Sequence, residues 1–192
     1  MRRRTYLYGL GSVSLGGSGL IGSGAFSRVE TQRSADIRVA HDSQAYLGLQ
    51  RTDSPNASYV DFDGKGHLRV RMSPDNPNQT DPDRGTGVNP DSHSWFHNVF
   101  RICNHGNQKV CTWIEKGGGQ DTSSITFYNS DEAETTYGDV GTWNITGATR
   151  QVPLHVGDCV TVGIHVETIG FYGPEAGDVL LEDITVHADA KC

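Results

Sequence analysis

The sequence predicts an all-β protein, an antiparallel sandwich of two sheets, on three observations. Apolar and polar residues alternate along many short stretches, as in ADIRVA at 35–40. Gly, Asp and Asn, which tolerate tight turns, separate these stretches, and Gly alone accounts for 24 of the 192 residues. Apolar residues do not recur at helical spacing over any long stretch. Many short alternating strands with such turns are typical of an antiparallel sandwich.

The strands are predicted in order along the chain. We expect them at 35–40, 59–62, 67–72, 95–103, 109–115, 124–128, 143–145, 158–167 and 183–188. Two hairpins are expected, one turning at 63–66 (DGKG) and the other at 104–107 (NHGN). Residues 131–137 predict at most one helical turn. The longest irregular stretch, 74–91, contains four prolines, which exclude a central strand there.

The first 25 residues are interpreted as an export signal that precedes the fold. Residues 3–7 (RRTYL) resemble a twin-arginine signal, and the run from 9 to 24 contains seven glycines, too many for a stable soluble helix. Small residues at 23–25 predict cleavage after Ala25. The alternative is an uncleaved anchor, because residues 7–26 are about long enough to span a bilayer. Residues 26–192 then form a single domain with an N-terminal arm at about 26–40.

The composition argues against two classes of partner. The chain has 23 acidic and 16 basic residues, a net charge of −7, and four of the basic residues are lysines. Nucleic acids and anionic membrane surfaces favour basic patches, so neither is expected as a partner. Contact with a membrane is expected only through an uncleaved signal segment. An acidic composition that is poor in lysine is typical of proteins from high salt.

Four cysteines predict two disulfide bonds. An even number in an exported chain favours disulfides, and four cysteines allow three pairings. We expect Cys103 to pair with Cys111 across a hairpin and Cys159 to pair with Cys192. The alternative of a four-thiolate zinc site lacks the usual pair of cysteines two residues apart.

The long loop and three sequons supply further candidate sites. Asp75, Asp81 and Asp83 place carboxylates in the loop at 74–91, and they are candidate calcium ligands, although the bidentate Glu of a calcium loop is missing. No other cofactor is expected. Sequons at Asn56, Asn78 and Asn144 are candidate glycosylation sites, which agrees with export.

The sequence contains no recognisable set of catalytic residues. His93 and His97 have the spacing of a helical zinc motif, but the Glu between them is absent and the segment is predicted as a strand, where the two lie about 13 Å apart. His155, His165 and His187 are predicted to alternate on solvated strand faces. No serine-hydrolase elbow or phosphate-binding loop is present. The sequence therefore predicts a protein that is not an enzyme.

Short motifs along the chain carry a resemblance to a known family. They are GAFS at 24–27, WFHNVFRICNHG at 95–106, LHVGD at 154–158 and VGIHVET at 162–168. Together they resemble an exported haloarchaeal family of unknown function that is related to the camelysin and TasA group. The resemblance implies a jelly-roll-like sandwich and a role in extracellular filaments, such as a biofilm matrix or bundling pili. It also implies polymers in which the N-terminal segment of one subunit completes a sheet of the next.

The segment after the predicted cleavage site also has the properties of a donated strand. Once the signal is removed, residues 26–40 become a free arm with four apolar anchors, Phe26, Val29, Ile37 and Val39. Such an arm can add to an open sheet edge of a neighbouring copy, and this head-to-tail contact propagates as an open filament.

The leading hypothesis is thus a cell-surface structural protein that polymerises with itself. The alternatives are a monomeric secreted or surface-anchored binding module, stabilised by calcium, and a camelysin-like metallopeptidase, for which the chain has no matching zinc motif.

Overall fold

The computed structural model describes residues 33–81, 83, 85–133, 141–170 and 177–192. Helical structure in these residues is limited to one four-residue helix, α1 (Ser130–Ala133), and to 3₁₀ turns at Asp42–Gln44, Pro55–Tyr59 and Thr122–Ser124. Nine strands lie in the same residues: β1 Leu47–Arg51, β2 Val60–Phe62, β3 Leu68–Val70, β4 His93–Asn104, β5 Val110–Gly117, β6 Ile125–Asn129, β7 Val152–Leu154, β8 Cys159–Glu167 and β9 Asp183–Asp189. The predicted all-β class is confirmed.

The strands form a larger sheet, a smaller sheet and a hairpin. The larger sheet has the order β1-β4-β8-β6, the smaller has the order β7-β5-β9, and β2 pairs with β3. Every one of these strand pairs is antiparallel. The two longest strands, β4 and β8, lie side by side in the middle of the larger sheet, so they contribute most to the core.

A single hydrophobic core lies between the larger sheet and the smaller sheet. Its side chains alternate along β4 and β8 and are joined by Ile114 of β5 and Leu154 of β7, so both sheets contribute to the same cluster, as in a sandwich. Burying an aliphatic or aromatic side chain of this kind contributes about 1.5–3 kcal/mol. The buried residues of the cluster are Val60, Val99, Phe100, Ile102, Ile114, Ile125, Phe127, Ile145, Leu154, Val160, Val162, Ile164 and Val166.

A short segment around Ile145 connects the sheets at one side. The Ile145 amide donates to Phe127 O of β6 at 2.9 Å, and its carbonyl accepts from Ile114 N of β5 at 2.9 Å. One residue therefore hydrogen-bonds to both sheets while its side chain is buried in the core. The sequence predicts a strand at 143–145, and the structure has isolated bridges there instead.

The disulfide pairing expected from the sequence is wrong. Cys103 pairs with Cys159, its direct neighbour in the β4–β8 ladder, and Cys111 pairs with Cys192. The expectation failed because β4 and β5 do not form a hairpin: they belong to different sheets, so Cys103 and Cys111 do not face each other. Both pairs are bonded and no cysteine is free, which indicates an oxidising environment.

The turn after β4 is organised by the buried side chain of Asn104. Its Nδ2 donates to Gln108 O at 2.8 Å and to Leu154 O at 3.1 Å, and its Oδ1 accepts from Gly106 N at 3.0 Å. The Asn104 backbone is paired with the turn before β8, since its amide donates to Asp158 O at 2.9 Å. Asn104 therefore ties the larger sheet to β7 of the smaller sheet and sends the chain from one to the other.

The predicted hairpin at 59–72 is confirmed as β2 and β3, and Asp63 holds its turn. Asp63 Oδ1 accepts from Lys65 N at 2.8 Å and from His67 N at 2.9 Å, while Oδ2 lies 3.0 Å from an Arg69 nitrogen and 3.1 Å from His67 Nδ1. The bond from the His67 amide is the largest of the contacts that hold the pKa of Asp63 below its ordinary value.

The predicted strand at 35–40 is also wrong. The chain divides into two units, Met1–Arg38 and Val39–Cys192. In the described part of the first unit, residues 33–38 have no regular secondary structure, and Ile37 is 93% exposed. Val39, which begins the second unit, is fully exposed and outside any strand. Alternation alone fails here because a strand also needs a neighbour for its backbone. Phe26 and Val29 lie outside the described residues.

Replacing Asn104 with Ala should destabilise the fold strongly. The change removes the donor that Asn104 Nδ2 provides to the buried Leu154 carbonyl and to the exposed Gln108 carbonyl, and the expected loss of unfolding free energy is about 2 kcal/mol. Urea unfolding followed by circular dichroism, with the disulfides intact, measures this. The control is Asn107→Ala, an exposed position in the same turn. Equal effects at the two positions would contradict the role given to Asn104.

The hairpin should loosen at acid pH because of Asp63. A carboxyl whose pKa is lowered by folding stabilises the folded state fully above its unfolded pKa of about 3.9 and loses that contribution as the pH falls below it. Amide hydrogen exchange at His67, whose amide donates to Asp63 Oδ1 at 2.9 Å, should therefore accelerate as the pH falls below about 4, after correction for intrinsic rates. Asp63→Asn should remove most of this dependence, whereas Asp53→Asn, at an exposed position, should preserve it.

Candidate functional site

Ring side chains gather on the outer face of the larger sheet, and we call them the histidine–aromatic cluster. Phe96 and Ile164 point into the core, so the residues on either side of them in β4 and β8 point outwards. The members of the cluster are His93, Trp95 and His97 of β4, Tyr128 of β6 and His165 of β8. The strand register brings them together, since Trp95 lies opposite His165 and Tyr128 lies opposite Gly163.

Three of these rings stack on one another at one end of the cluster. The Trp95 and His165 rings have centroids 4.9 Å apart at 25°, and the His93 and His165 rings have centroids 5.4 Å apart at 11°. His93 Nδ1 and His165 Nε2 are separated by 3.2 Å, a hydrogen-bond distance. In this contact one imidazole donates and the other accepts, so the pair requires that at least one ring is neutral.

His165 is the most enclosed of the three rings, with 7% of its surface exposed. Burial is the main cause of a lowered pKa at His165; a charge on His93 would lower it further, and the Glu167 carboxylate opposes the shift. His165 is therefore the neutral member of the pair. The prediction that His165 lies on a solvated strand face is wrong, because Trp95 and His93 cover it.

At the other end of the cluster, Tyr128 Oη and His97 Nδ1 form a hydrogen bond of 2.9 Å. Tyr128 is fully buried, and burial raises the pKa of its hydroxyl well above the ordinary value. The phenol is thus a neutral group at any physiological pH, and its role is to fix the His97 ring. His97 makes further contacts as well.

His97 lies in a bulge of β4 that three other segments support. The β4–β8 register shifts between Phe96 and Phe100, and Asn98 has a positive φ of 56°. Thr52 Oγ1 donates to Asn98 O at 2.5 Å, and Asn56 Nδ2 donates to His97 O at 2.8 Å. The Asn98 amide donates to Ser130 Oγ at 3.0 Å, so side chains from three segments bond to the backbone of the bulge.

Gly163 makes room for the Tyr128 ring. A Cβ at Gly163 would lie 2.3 Å from Tyr128 Cζ and 2.6 Å from its Oη, which is closer than real contacts allow. The glycine in β8 is therefore required by the close approach of the ring that fixes His97.

A second and smaller group of rings lies on the outer face of the smaller sheet. Trp113 and His187, which are direct neighbours in the β5–β9 ladder, stack at 4.8 Å and 4°. Glu115 joins them, with Oε2 3.2 Å from His187 Nε2 and Oε1 accepting from Trp113 Nε1 at 3.3 Å. Glu115 therefore lies within ion-pair distance of His187 and accepts a hydrogen bond from Trp113.

The candidate calcium ligands do not come together as a site in the described residues. Asp81 Oδ1 accepts from the Asp83 amide at 3.0 Å, and Asp75 contributes its backbone carbonyl to an Arg71 bond. Over the part of the chain that the structure describes, no group of three His, Cys, Asp or Glu side chains is close enough to hold a metal ion. Calcium binding stays a prediction.

The three sequon asparagines all take part in the fold. Asn56 Nδ2 bonds to the β4 bulge. Asn78 Nδ2 donates both to Ser58 O at 3.1 Å and to Val60 O at 2.9 Å, so a glycan on that nitrogen would cost one of these bonds. Asn144 Oδ1 accepts from Thr146 N at 2.6 Å. Glycosylation stays a prediction at all three positions.

The comparison with known proteins identifies a family and no curated relative. A family model described as "Protein of unknown function (DUF1102)" matches residues 39–191, nearly the whole of the second unit. No curated protein matches the chain. Among the described residues, no helix has both the length and the apolar character needed to cross a membrane.

Replacing Gly163 with Ala should disturb the cluster. The added methyl group collides with Tyr128, and overpacking of this kind costs about 1–3 kcal/mol of unfolding free energy. The matched control is Gly64→Ala, since a Cβ at Gly64 meets nothing within 4 Å. Thermal unfolding of both variants gives the comparison, and an unchanged midpoint for Gly163→Ala would show that the Tyr128 ring is free to move aside.

Proposed function

We propose a structural role at the cell surface for this chain, which belongs to the DUF1102 family of proteins of unknown function. In this proposal the protein is exported, is not an enzyme, and assembles with copies of itself through its N-terminal arm. A relationship to the camelysin and TasA group, and a haloarchaeal source, form part of the proposal.

The exposed apolar side chains just before the sandwich are the observation that carries the proposal. Ile37 is 93% exposed and Val39 is fully exposed, and one residue separates them in the sequence. Exposing two β-branched aliphatic residues so close together forfeits about 1.5–3 kcal/mol for each side chain. A second copy that covers them would recover this free energy.

Open sheet edges provide a place for such an arm. Among the described residues, β1 of the larger sheet and β9 of the smaller sheet each pair with a neighbouring strand on one side only. Edge strands present unpaired backbone groups that can accept an added strand. We assign β9 as the acceptor, because Asp183 and Asp189 lie on it and Glu182 precedes it, whereas the described arm contains Arg33 and Arg38 with one acid, Asp36.

The chemistry of the cysteines supports export. Two disulfides favour an oxidising compartment, in agreement with the signal-like first 25 residues of the sequence. In this proposal the compartment is the cell exterior.

A cleft of about 350 Å³ favours a second candidate function, that of a monomeric binding module. It lies beside the loop at 74–91 and has an aromatic wall, in which the Tyr59 and Phe96 rings meet edge to face at 5.3 Å. Asn56, Ser58 and Gln79 add polar groups to the lining. This mixture suits a small polar ligand with an apolar face.

Assembly should depend on the apolar arm. The mature protein, purified at the salt concentration in which it is soluble, is expected to form filaments visible by negative-stain electron microscopy. Ile37→Asp together with Val39→Asp should abolish them, and the double change Asp183→Lys and Asp189→Lys should weaken them. Val156→Asp, a change of another exposed aliphatic residue that lies on a turn outside the arm, should leave them intact. A monomer at all concentrations would refute assembly and favour the binding module.

A further inference from the structure

We propose that His93 and His165 together bind one divalent transition-metal ion, of the class Zn²⁺, Ni²⁺ or Cu²⁺, on the outer face of the larger sheet. The two residues come from the central strands β4 and β8 and lie at the end of the histidine–aromatic cluster. Metal binding at this site does not depend on filament assembly, because both ligands belong to the folded domain.

The distance between the two ring nitrogens suits a shared metal ion. Zinc binds imidazole nitrogen at about 2.0–2.1 Å, so two such ligands at the tetrahedral angle lie about 3.4 Å apart. His93 Nδ1 and His165 Nε2 are 3.2 Å apart. A small shift of either ring replaces the hydrogen bond between them with two bonds to one ion.

The rings are held in place before any ion arrives. His165 stacks on Trp95 and is enclosed, and His93 stacks on both His165 and Trp95. Preorganised ligands lose little rotational freedom on binding, which raises affinity.

The site is open on the His93 side. His93 is exposed, so water can complete the coordination of an ion held by two imidazoles. Glu167 lies opposite His93 in the β4–β8 ladder and places a carboxylate beside the pair, which favours a cation. Imidazole is a ligand for Zn²⁺, Ni²⁺ and Cu²⁺ and not for Ca²⁺ or Mg²⁺, which prefer oxygen. The site is therefore distinct from the carboxylates of the loop at 74–91.

The test uses the full chain without a histidine tag, freed of metal by EDTA and then by dialysis. Isothermal titration with NiCl₂ or ZnCl₂ should give one site per chain, with a Kd in the micromolar range expected for two histidine ligands. Cu²⁺ should also quench the fluorescence of Trp95, which touches both ligands. Saturation at 100 times Kd should raise the unfolding free energy by about 2.7 kcal/mol.

Variants separate this site from the other histidines. His93→Gln changes an exposed side chain and should weaken binding at least tenfold without loss of the fold, and His165→Gln should do the same if it folds. His187→Gln, which removes the imidazole that stacks on Trp113, is the matched control and should bind as the parent does. Unchanged affinity in His93→Gln, or a loss in His187→Gln, would overturn the proposal, as would a parent protein with no site tighter than millimolar.

Discussion

The architecture depends on a single buried amide, that of Asn104, at the point where the chain leaves one sheet for the other. Its side chain hydrogen-bonds to the turn that it begins and to β7 of the opposite sheet. Buried polar groups require partners, and an apolar residue at this position would remove the side-chain donor from the buried Leu154 carbonyl. The turn that Asn104 begins leads from β4 in the larger sheet to β5 in the smaller sheet, so the two strands do not pair and the cysteines on them bond elsewhere.

The β4–β8 ladder connects this corner to the candidate site. Near Asn104 the ladder is regular and ends in the Cys103–Cys159 bond. Towards the opposite end, the ladder is interrupted by the bulge at residues 97–99, where His97 contacts Tyr128. Beyond the bulge, β4 places His93 and Trp95 on the outer face of the sheet. The same two strands therefore provide both the core and, on their other face, the histidine–aromatic cluster.

Alternation and turn residues were sufficient to predict the fold class, the β2–β3 hairpin and the positions of most strands. They were not sufficient where the outcome depended on partners distant in sequence. The alternation of side chains along β8 places His165 on the outer face. The ring that buries it belongs to Trp95, some 70 residues earlier in the chain, so the sequence around His165 does not predict its burial. Similarly, NHGN at 104–107 looks like a hairpin turn, and only the bond from Asn104 to Leu154 reveals that the chain changes sheets. Gly163 was a signal that could have been used, since a glycine inside an apolar strand indicates a close approach.

The Cys103–Cys159 bond has a mechanical consequence for the pair of strands that it joins. A covalent link at one end of a two-strand ladder prevents separation from that end, so the ladder opens from the other, where His93 lies opposite Glu167. Reversible separation of these two strands is therefore confined to the end that bears the paired imidazoles.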